Sequence, residues 1–330
     1  MNKTTQEEPN NRLGALISEI RQIRGLTQTE FAKKLQTSQS AVNRIEKGGQ
    51  NLSLDMLSRI SEVLEKPLIN VGNQGVNLRI DGGHELSGEI TLKTSKNAAV
   101  ALLCGSLLNH GTTLFKSFPR IEEVFRIIEV LESIGVKVRW LPGNDLEIKR
   151  PAKLALNKID GKSARRTRSV LMMIGPLIHE FSDFKIPYSG GCKLGQRSVK
   201  GHLFGLEEFG VSIVAKAKYY QIDTDLKQPE RVVLYESGDT VTENVIMAAA
   251  LSPSKTIIQF ASANYMVQDV CGYLESLGVK VEGIGTTTLT ITGLKKQAKK
   301  DVIYYPAEDP IEAMFFVSTA IANNAEITIR

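Results

Sequence analysis

Apolar side chains recur at helical spacing through residues 13–24 (LGALISEIRQIR), and the run ends at Gly25, a residue suited to the left-handed position just past a helix. Thr27 followed three residues later by Glu30 has the spacing of a capping box and predicts a second helix through Leu35. Gln36 and Thr37 make a short turn. Ser38 opens a third helix, SQSAVNRIEKG, with Ala41, Val42 and Ile45 facing inward, and Ser53 caps a fourth, LDMLSRISEVL, that runs to Pro67. The pattern predicts an all-α bundle over residues 1–70, followed by a short linker at 71–77.

Beyond the linker the pattern repeats. LESIGVKVRWLPGNDLEI begins at 131, LEEFGVSIVAKAKYYQI at 206 and LESLGVKVEGIGTTTLTI at 274. Each reads as the end of an amphipathic helix, a glycine cap and two alternating strands joined by a turn. The capping glycines Gly135, Gly210 and Gly278 lie 75 and 68 residues apart. A small-residue helix and a strand precede each copy, so the unit is helix–strand–helix–strand–strand and fills an α/β domain over 78–308. A fourth copy starts at Pro310 (IEAMFFVSTAIANNAEITIR) and reaches only its first strand, so 309–330 reads as the start of a second domain. Its apolar helix and sheet edge are expected to need partners, and the architecture is expected to continue past Arg330.

Composition narrows the functional classes. The chain has 330 residues, 42% hydrophobic and 23% charged, with a net charge of +5 that suits nucleic acid or small anions without selecting either. Three cysteines, Cys104, Cys192 and Cys271, are too few for a disulfide framework, and the four histidines are scattered without metal-ligand spacing. No apolar run reaches the roughly 20 residues of a membrane span, and the polar N-terminus is unlike a signal peptide. A cytoplasmic protein without metal or membrane partner is expected.

The third helix carries chemistry on its outer face. Gln39, Ser40, Asn43 and Arg44 are exposed by the helical pattern, and Gln28 starts the helix before it. Gln and Asn can pair bidentately with adenine, and a helix N-terminus suits phosphate. A solvated face on a protein-interaction module would carry similar residues. The stretch LTQTEFAKKLQTSQSAVNRIEKG resembles the Cro and lambda-repressor-like helix-turn-helix family, over about residues 12–70. That resemblance implies duplex DNA as partner, with Gln28, Gln39, Ser40 and Asn43 reading bases and Arg44 or Lys47 near phosphates. It also implies a homodimer matching two half-sites.

In the second domain, strand FKIPY leads into the loop SGGCKLGQRS and then a helix. Gly190 and Gly191 permit unusual backbone angles, and amides near the helix start favour an anion. Cys192 has Lys193 and Arg197 close in sequence, which favours a thiolate, whereas Cys104 and Cys271 sit in apolar helices and read as core. Brief alkylation is therefore expected to label Cys192 first.

Residues 78–330 resemble the UDP-N-acetylglucosamine enolpyruvyl transferase family, in IDGGHELSGEITLKTSKNAA, in GGCKLGQR with HLFGLEEFG, in VTENVIMAAAL and in the LGVKVEG…TTTLTITG hairpin. The resemblance implies an inside-out α/β barrel. It also implies transfer of an enolpyruvyl group from the co-substrate phosphoenolpyruvate to a hydroxyl of UDP-N-acetylglucosamine, without a cofactor, in peptidoglycan precursor synthesis. By it Cys192 is a general acid, Lys96 and Arg197 hold phosphate and carboxylate, and Asn97, Arg168, Gly191 and Thr240 contact substrate.

Four segments depart from the family pattern: Arg197-Ser198-Val199-Lys200 for Arg-Pro-Val-Asp, Gly238-Asp239-Thr240 for Ser-Val-Gly, Asn264-Tyr265-Met266 for Glu-Pro-Glu, and Asp309-Pro310-Ile311-Glu312 for Asp-Arg-Ile-Glu. The family's general-base aspartate and further arginines lie in a domain of which only the start is present, so the cleft is expected to be incomplete and inactive on these residues alone. Two readings stay open. One is a diverged transferase with an added DNA reader; the other is a regulator that senses a nucleotide sugar or phosphoenolpyruvate without catalysis.

Overall fold

The computed structural model describes residues 9–49, 52–64, 85–188 and 199–330. The chain divides into two compact units, Met1–Gly83 and His84–Arg330. Among the described residues no helix is long and apolar enough to cross a membrane.

Among its described residues unit 1 has four helices: α1 (Pro9–Ile23), α2 (Gln28–Lys34), α3 (Gln39–Glu46) and α4 (Leu54–Val63). Three start as their polar residues dictate. Thr27 and Glu30 form the reciprocal capping box, and the side chains of Ser38 and Ser53 accept from the amides of Ala41 and Met56. Ile17, Phe31, Leu35, Val42, Ile45 and Ile60 close a single core, while Ala41 is only half-buried. α1 begins four residues before the apolar pattern does, at Pro9.

Unit 2 opens with β1 (Ser87–Ile90) and then follows the repeat. The first copy is α5 (Lys96–Gly105), β2 (Thr112–Phe115), α6 (Glu122–Ser133), β3 (Lys137–Leu141) and β4 (Asp145–Lys149). The second follows a single turn, α7 (Gly161–Ala164). It has a 3₁₀ stretch at Ser169–Met173 running into α8 (Ile174–Leu177), then β5 (Asp183–Pro187), α9 (Lys200–Glu207), β6 (Val211–Ala215) and β7 (Tyr219–Thr224). The third comprises β8 (Arg231–Val233), α10 (Asp239–Ala249), β9 (Lys255–Gln259), α11 (Tyr265–Leu277), β10 (Lys280–Glu282) and β11 (Thr288–Thr292); β12 (Val302–Tyr304), α12 (Pro310–Asn323) and β13 (Glu326–Ile329) complete the described chain.

Gly135, Gly210 and Gly278 adopt φ of +99°, +77° and +104°, so each copy turns from helix to hairpin through the left-handed region. The hairpins give sheets ordered β12-β2-β4-β3, β5-β7-β6 and β10-β11-β9-β8, each buried on one face: Leu289 and Ile291 point inward along β11, and Thr290 and Thr292 outward. Helices occupy the middle. α5 is buried at every position from Ala98 to Gly105 and α10 at every position from Val241 to Ala249, the signature of helices surrounded on all sides. This is the inside-out arrangement, although the sheets remain separate and none closes into a barrel wall among the described residues.

The structure adds elements that periodicity missed. The three-residue strands β8 and β12 join the sheets in parallel, beside β9 and β2. The expected helix of the second copy is largely 3₁₀. The amide of Gly175 there donates to the side chain of Asn244 at 2.7 Å, and a Cβ on Gly175 would meet the carbonyl oxygen of Asn244 at 2.2 Å, so α8 crosses α10 only with glycine. The fourth-copy strand β13 is partnered, in parallel with β1. No residue of α12 is buried.

Candidate functional sites

In unit 1 the network begins at Glu46, which ends α3. Its carboxylate accepts from Arg21 Nε at 2.5 Å, Arg21 Nη2 at 3.1 Å, Gln28 Nε2 at 2.9 Å and Ser18 Oγ at 3.0 Å. Burial alone would raise its carboxyl, but these donors outweigh it and hold Glu46 below the ordinary range. Gln28, expected to read bases, thus has its amide turned to Glu46, while its oxygen accepts from Gln39 Nε2 at 2.7 Å. Gln28 braces Gln39, which keeps one N–H and its carbonyl for an outside partner. Ser40 and Arg44 are exposed and Asn43 is half-buried on the same helix.

In unit 2 a cleft of about 1090 Å³ opens among α5, α6, α9 and α10. Four residues expected at the substrate site line it: Lys96 and Asn97 at the start of α5, Arg168 before the 3₁₀ stretch, and Thr240 in the first turn of α10. Cys192, Gly191 and Arg197 lie outside the described residues. Lys96 Nζ is 3.3 Å from Glu123 and half exposed, and Glu123 also accepts from the hydroxyls of Thr167 and Ser169. Glu123 is thus the resident counter-ion of Lys96, in a surface pair weak enough for a multiply charged anion to displace. Cys104 and Cys271 are buried; loss of solvation pushes the Cys104 thiol strongly up and that of Cys271 to about 12, so both are inert core residues.

Sequence reasoning missed the groups that hold Thr240. Asn244 is fully buried, its Oδ1 accepting from the Gly175 amide and its Nδ2 donating to Leu171 O (3.0 Å) and His202 Nδ1 (3.1 Å). Those backbone partners fix the amide orientation, so Nδ1 of His202 accepts and its proton sits on Nε2, 3.4 Å from Thr240 Oγ1. Burial, with Arg168 nearby, lowers His202 to about 4, and it stays neutral. Thr240 therefore receives a hydrogen bond from behind and keeps its own proton to give. The signal in the sequence was Thr242-Glu243-Asn244, three successive polar residues within the apolar run of α10.

Two departing segments meet one another. Tyr265 OH donates to Asp309 Oδ1 at 3.3 Å and lies 3.4 Å from Ser95 Oγ, beside the N-terminus of α5. Asp309 also caps α12 through the Ile311 amide. Tyr265, in one departing segment, and Asp309, the aspartate retained in the other, join the start of α5 to the start of the fourth copy.

Known proteins match this arrangement. A profile of EPSP synthase (3-phosphoshikimate 1-carboxyvinyltransferase) matches residues 80–330. The chain belongs to the enolpyruvyl transferase family. A helix-turn-helix profile matches residues 17–69 of this transferase-family chain. UDP-N-acetylglucosamine 1-carboxyvinyltransferase 2 of Clostridium tetani is 31% identical over 250 residues, covering 76% of this chain and 60% of the relative. The UDP-N-acetylglucosamine 1-carboxyvinyltransferase of Dichelobacter nodosus is 30% identical over 254 residues, with 77% and 60% covered. The chain spans about 60% of the length of these curated relatives. The enolpyruvyl transferase NikO from Streptomyces tendae shares the fold at a TM-score of 0.61 and 16% identity, over 72% of this chain and 55% of that one. EPSP synthase from Acinetobacter baumannii does so at 0.53 and 16%, over 72% and 54%.

Proposed function

We propose that the unit 2 cleft binds phosphoenolpyruvate and UDP-N-acetylglucosamine, and that the protein transfers the enolpyruvyl group to a sugar hydroxyl with release of phosphate, in peptidoglycan precursor synthesis. The observation that carries this reading is the convergence on one cleft of Lys96, Asn97, Arg168 and Thr240, residues from three distant segments. A lysine point charge and a forked arginine suit a phosphate and a carboxylate on one small molecule, and a hydroxyl held by His202 suits an anionic oxygen. Cys192 is assigned by resemblance as the acid for the methylene carbon. Lys96→Ala and Arg168→Ala are each expected to weaken phosphoenolpyruvate binding about tenfold or more, measured by calorimetry on the 330-residue chain. Unchanged affinity in both variants contradicts the assignment.

Unit 1 is proposed to bind duplex DNA through α3, with Gln39 presenting a donor and an acceptor to a base edge. The brace from Gln28 to Gln39 favours this, because a prepositioned amide loses less freedom on binding. Gln39→Ala and Asn43→Ala are each expected to cost about 1–3 kcal/mol of discrimination between operator and mismatched duplexes. Salt-independent binding, or none, would remove DNA as the partner. The helix-turn-helix match over residues 17–69 supports a second reading, a regulator whose operator affinity responds to a ligand in the cleft; operator affinity that changes on adding phosphoenolpyruvate or UDP-N-acetylglucosamine would select it.

A further inference from the structure

We propose that Glu243 is a ligand-contacting residue at the floor of the unit 2 cleft, where its carboxyl donates a hydrogen bond to a carboxylate or phosphate oxygen of the bound anion. The proposal rests on the reading of the cleft given above and adds a group that the family resemblance does not assign.

The geometry of α10 singles this residue out. Of its three consecutive polar side chains, Thr242 donates to Gly238 O at 2.8 Å and accepts from the Ser262 amide at 3.0 Å, and Asn244 has both its oxygen and its nitrogen engaged. Glu243 differs. It is 1% exposed and lines the cleft, yet its Oε1 has no hydrogen-bond partner among the described residues. A buried carboxyl left unpaired is costly, and where it borders a cavity the natural partner is what fills the cavity. Val100, Met172 and Met266 line the cleft with it and supply no polar atom from their side chains.

The surroundings decide the form in which Glu243 is held. Asp239 faces it from its own helix, Asp269 and Cys271 from α11, and Cys104 from α5; Lys96, Arg168 and neutral His202 border the same cleft. Burial first, and then the two aspartates, hold the carboxyl well above its ordinary range, which favours the protonated form. A protonated carboxyl is a donor, and an O–H to an anionic oxygen is among the strong hydrogen bonds. An ionised Glu243 would instead repel the anion that Lys96 and Arg168 attract.

The linkage has a definite sign. An unfolded Glu ionises near 4.5, whereas burial and the two aspartates raise the folded group above that. Holding the proton therefore lowers stability progressively as pH rises from 4.5 towards the folded value. E243Q, a neutral isostere that still donates, removes that dependence.

The test uses the 330-residue chain as wild type, E243Q and E243M, with phosphoenolpyruvate and UDP-N-acetylglucosamine as separate calorimetric probes. At pH 7, E243Q is expected to bind within about threefold of wild type and E243M about tenfold more weakly for the compound that touches residue 243. Wild-type affinity should fall towards alkaline pH and that of E243Q should not. Infrared difference spectra of the ligand-free proteins should show a protonated-carboxyl stretch in wild type that E243Q lacks. E243M binding both compounds as tightly as wild type, E243Q binding as weakly as E243M, or absence of the infrared band overturns the proposal. Wild type binding neither compound overturns the substrate reading, and the donor role with it, while a persistent infrared band still marks a neutral acid in the fold.

Discussion

Replacing Glu46 with alanine is expected to destabilise unit 1 by about 3–5 kcal/mol, the cost of leaving one member of a buried ion pair behind. Arg21 is 7% exposed, and three of its nitrogens are committed: Nε and Nη2 to Glu46, and Nη1 to Leu26 O at 2.6 Å. Without the carboxylate the guanidinium stays buried against one backbone carbonyl, and Ser18 and Gln28 lose their acceptor. A helical unit of this size has roughly 3–5 kcal/mol of stability in all, so the loss is enough to unfold it at room temperature. Acid should act in the same direction. Glu46 is held below its ordinary 4.5, so its contribution is present above that value and disappears as pH falls through the depressed one. Hydrogen exchange of peptides from residues 9–64 would show the loss of protection in the variant; retained protection would mean that the apolar core alone suffices.

The second large effect is expected at Asn244. Changing it to alanine strands a backbone donor at Gly175, a backbone acceptor at Leu171 and the ring nitrogen of His202, all in the packed middle of unit 2. At about 1–3 kcal/mol for each of the three orphaned buried groups, the cost is roughly 3–9 kcal/mol. For a domain of this size that corresponds to a fall in thermal midpoint on the order of 10 °C. Release of His202 should also leave Thr240 without its fixed donor, so cleft affinity should fall in any Asn244 variant that still folds. His202→Gln separates the effects, since it keeps a neutral polar group while changing the hold on Thr240. A midpoint within 2 °C of wild type for Asn244→Ala would show that relaxation or water satisfies the three groups.

These buried networks mark where the sequence stopped being readable. Periodicity and capping located the helices of unit 1, and the motif around Gly135, Gly210 and Gly278 disclosed the repeat, because a helix that must turn into a hairpin needs a left-handed residue at one place. The resemblance then brought Lys96, Asn97, Arg168 and Thr240 together, and the structure sets them around one cleft. Strands β8 and β12 were not readable, since three residues carry no usable alternation and pair only because a sheet edge is waiting for them. Nor were the partners of Gln28, Thr240 and Glu243. Helical spacing says which face a residue occupies, but Glu46 lies 18 residues from Gln28, and His202 lies 38 from Thr240. The second copy's helix was expected, but not that Ser169–Met173 would be 3₁₀ and leave a single α-turn at Ile174–Leu177.

The central claim, that these cleft residues receive phosphoenolpyruvate and a UDP-sugar, is tested most directly by a crystal structure of the 330-residue chain grown with saturating amounts of both compounds. The account predicts density for phosphoenolpyruvate against Lys96 and Arg168, with the Lys96–Glu123 pair broken, and for the nucleotide sugar alongside Asn97 and Thr240. A well-ordered cleft that stays empty at saturation, or either compound bound away from those four residues, would contradict it.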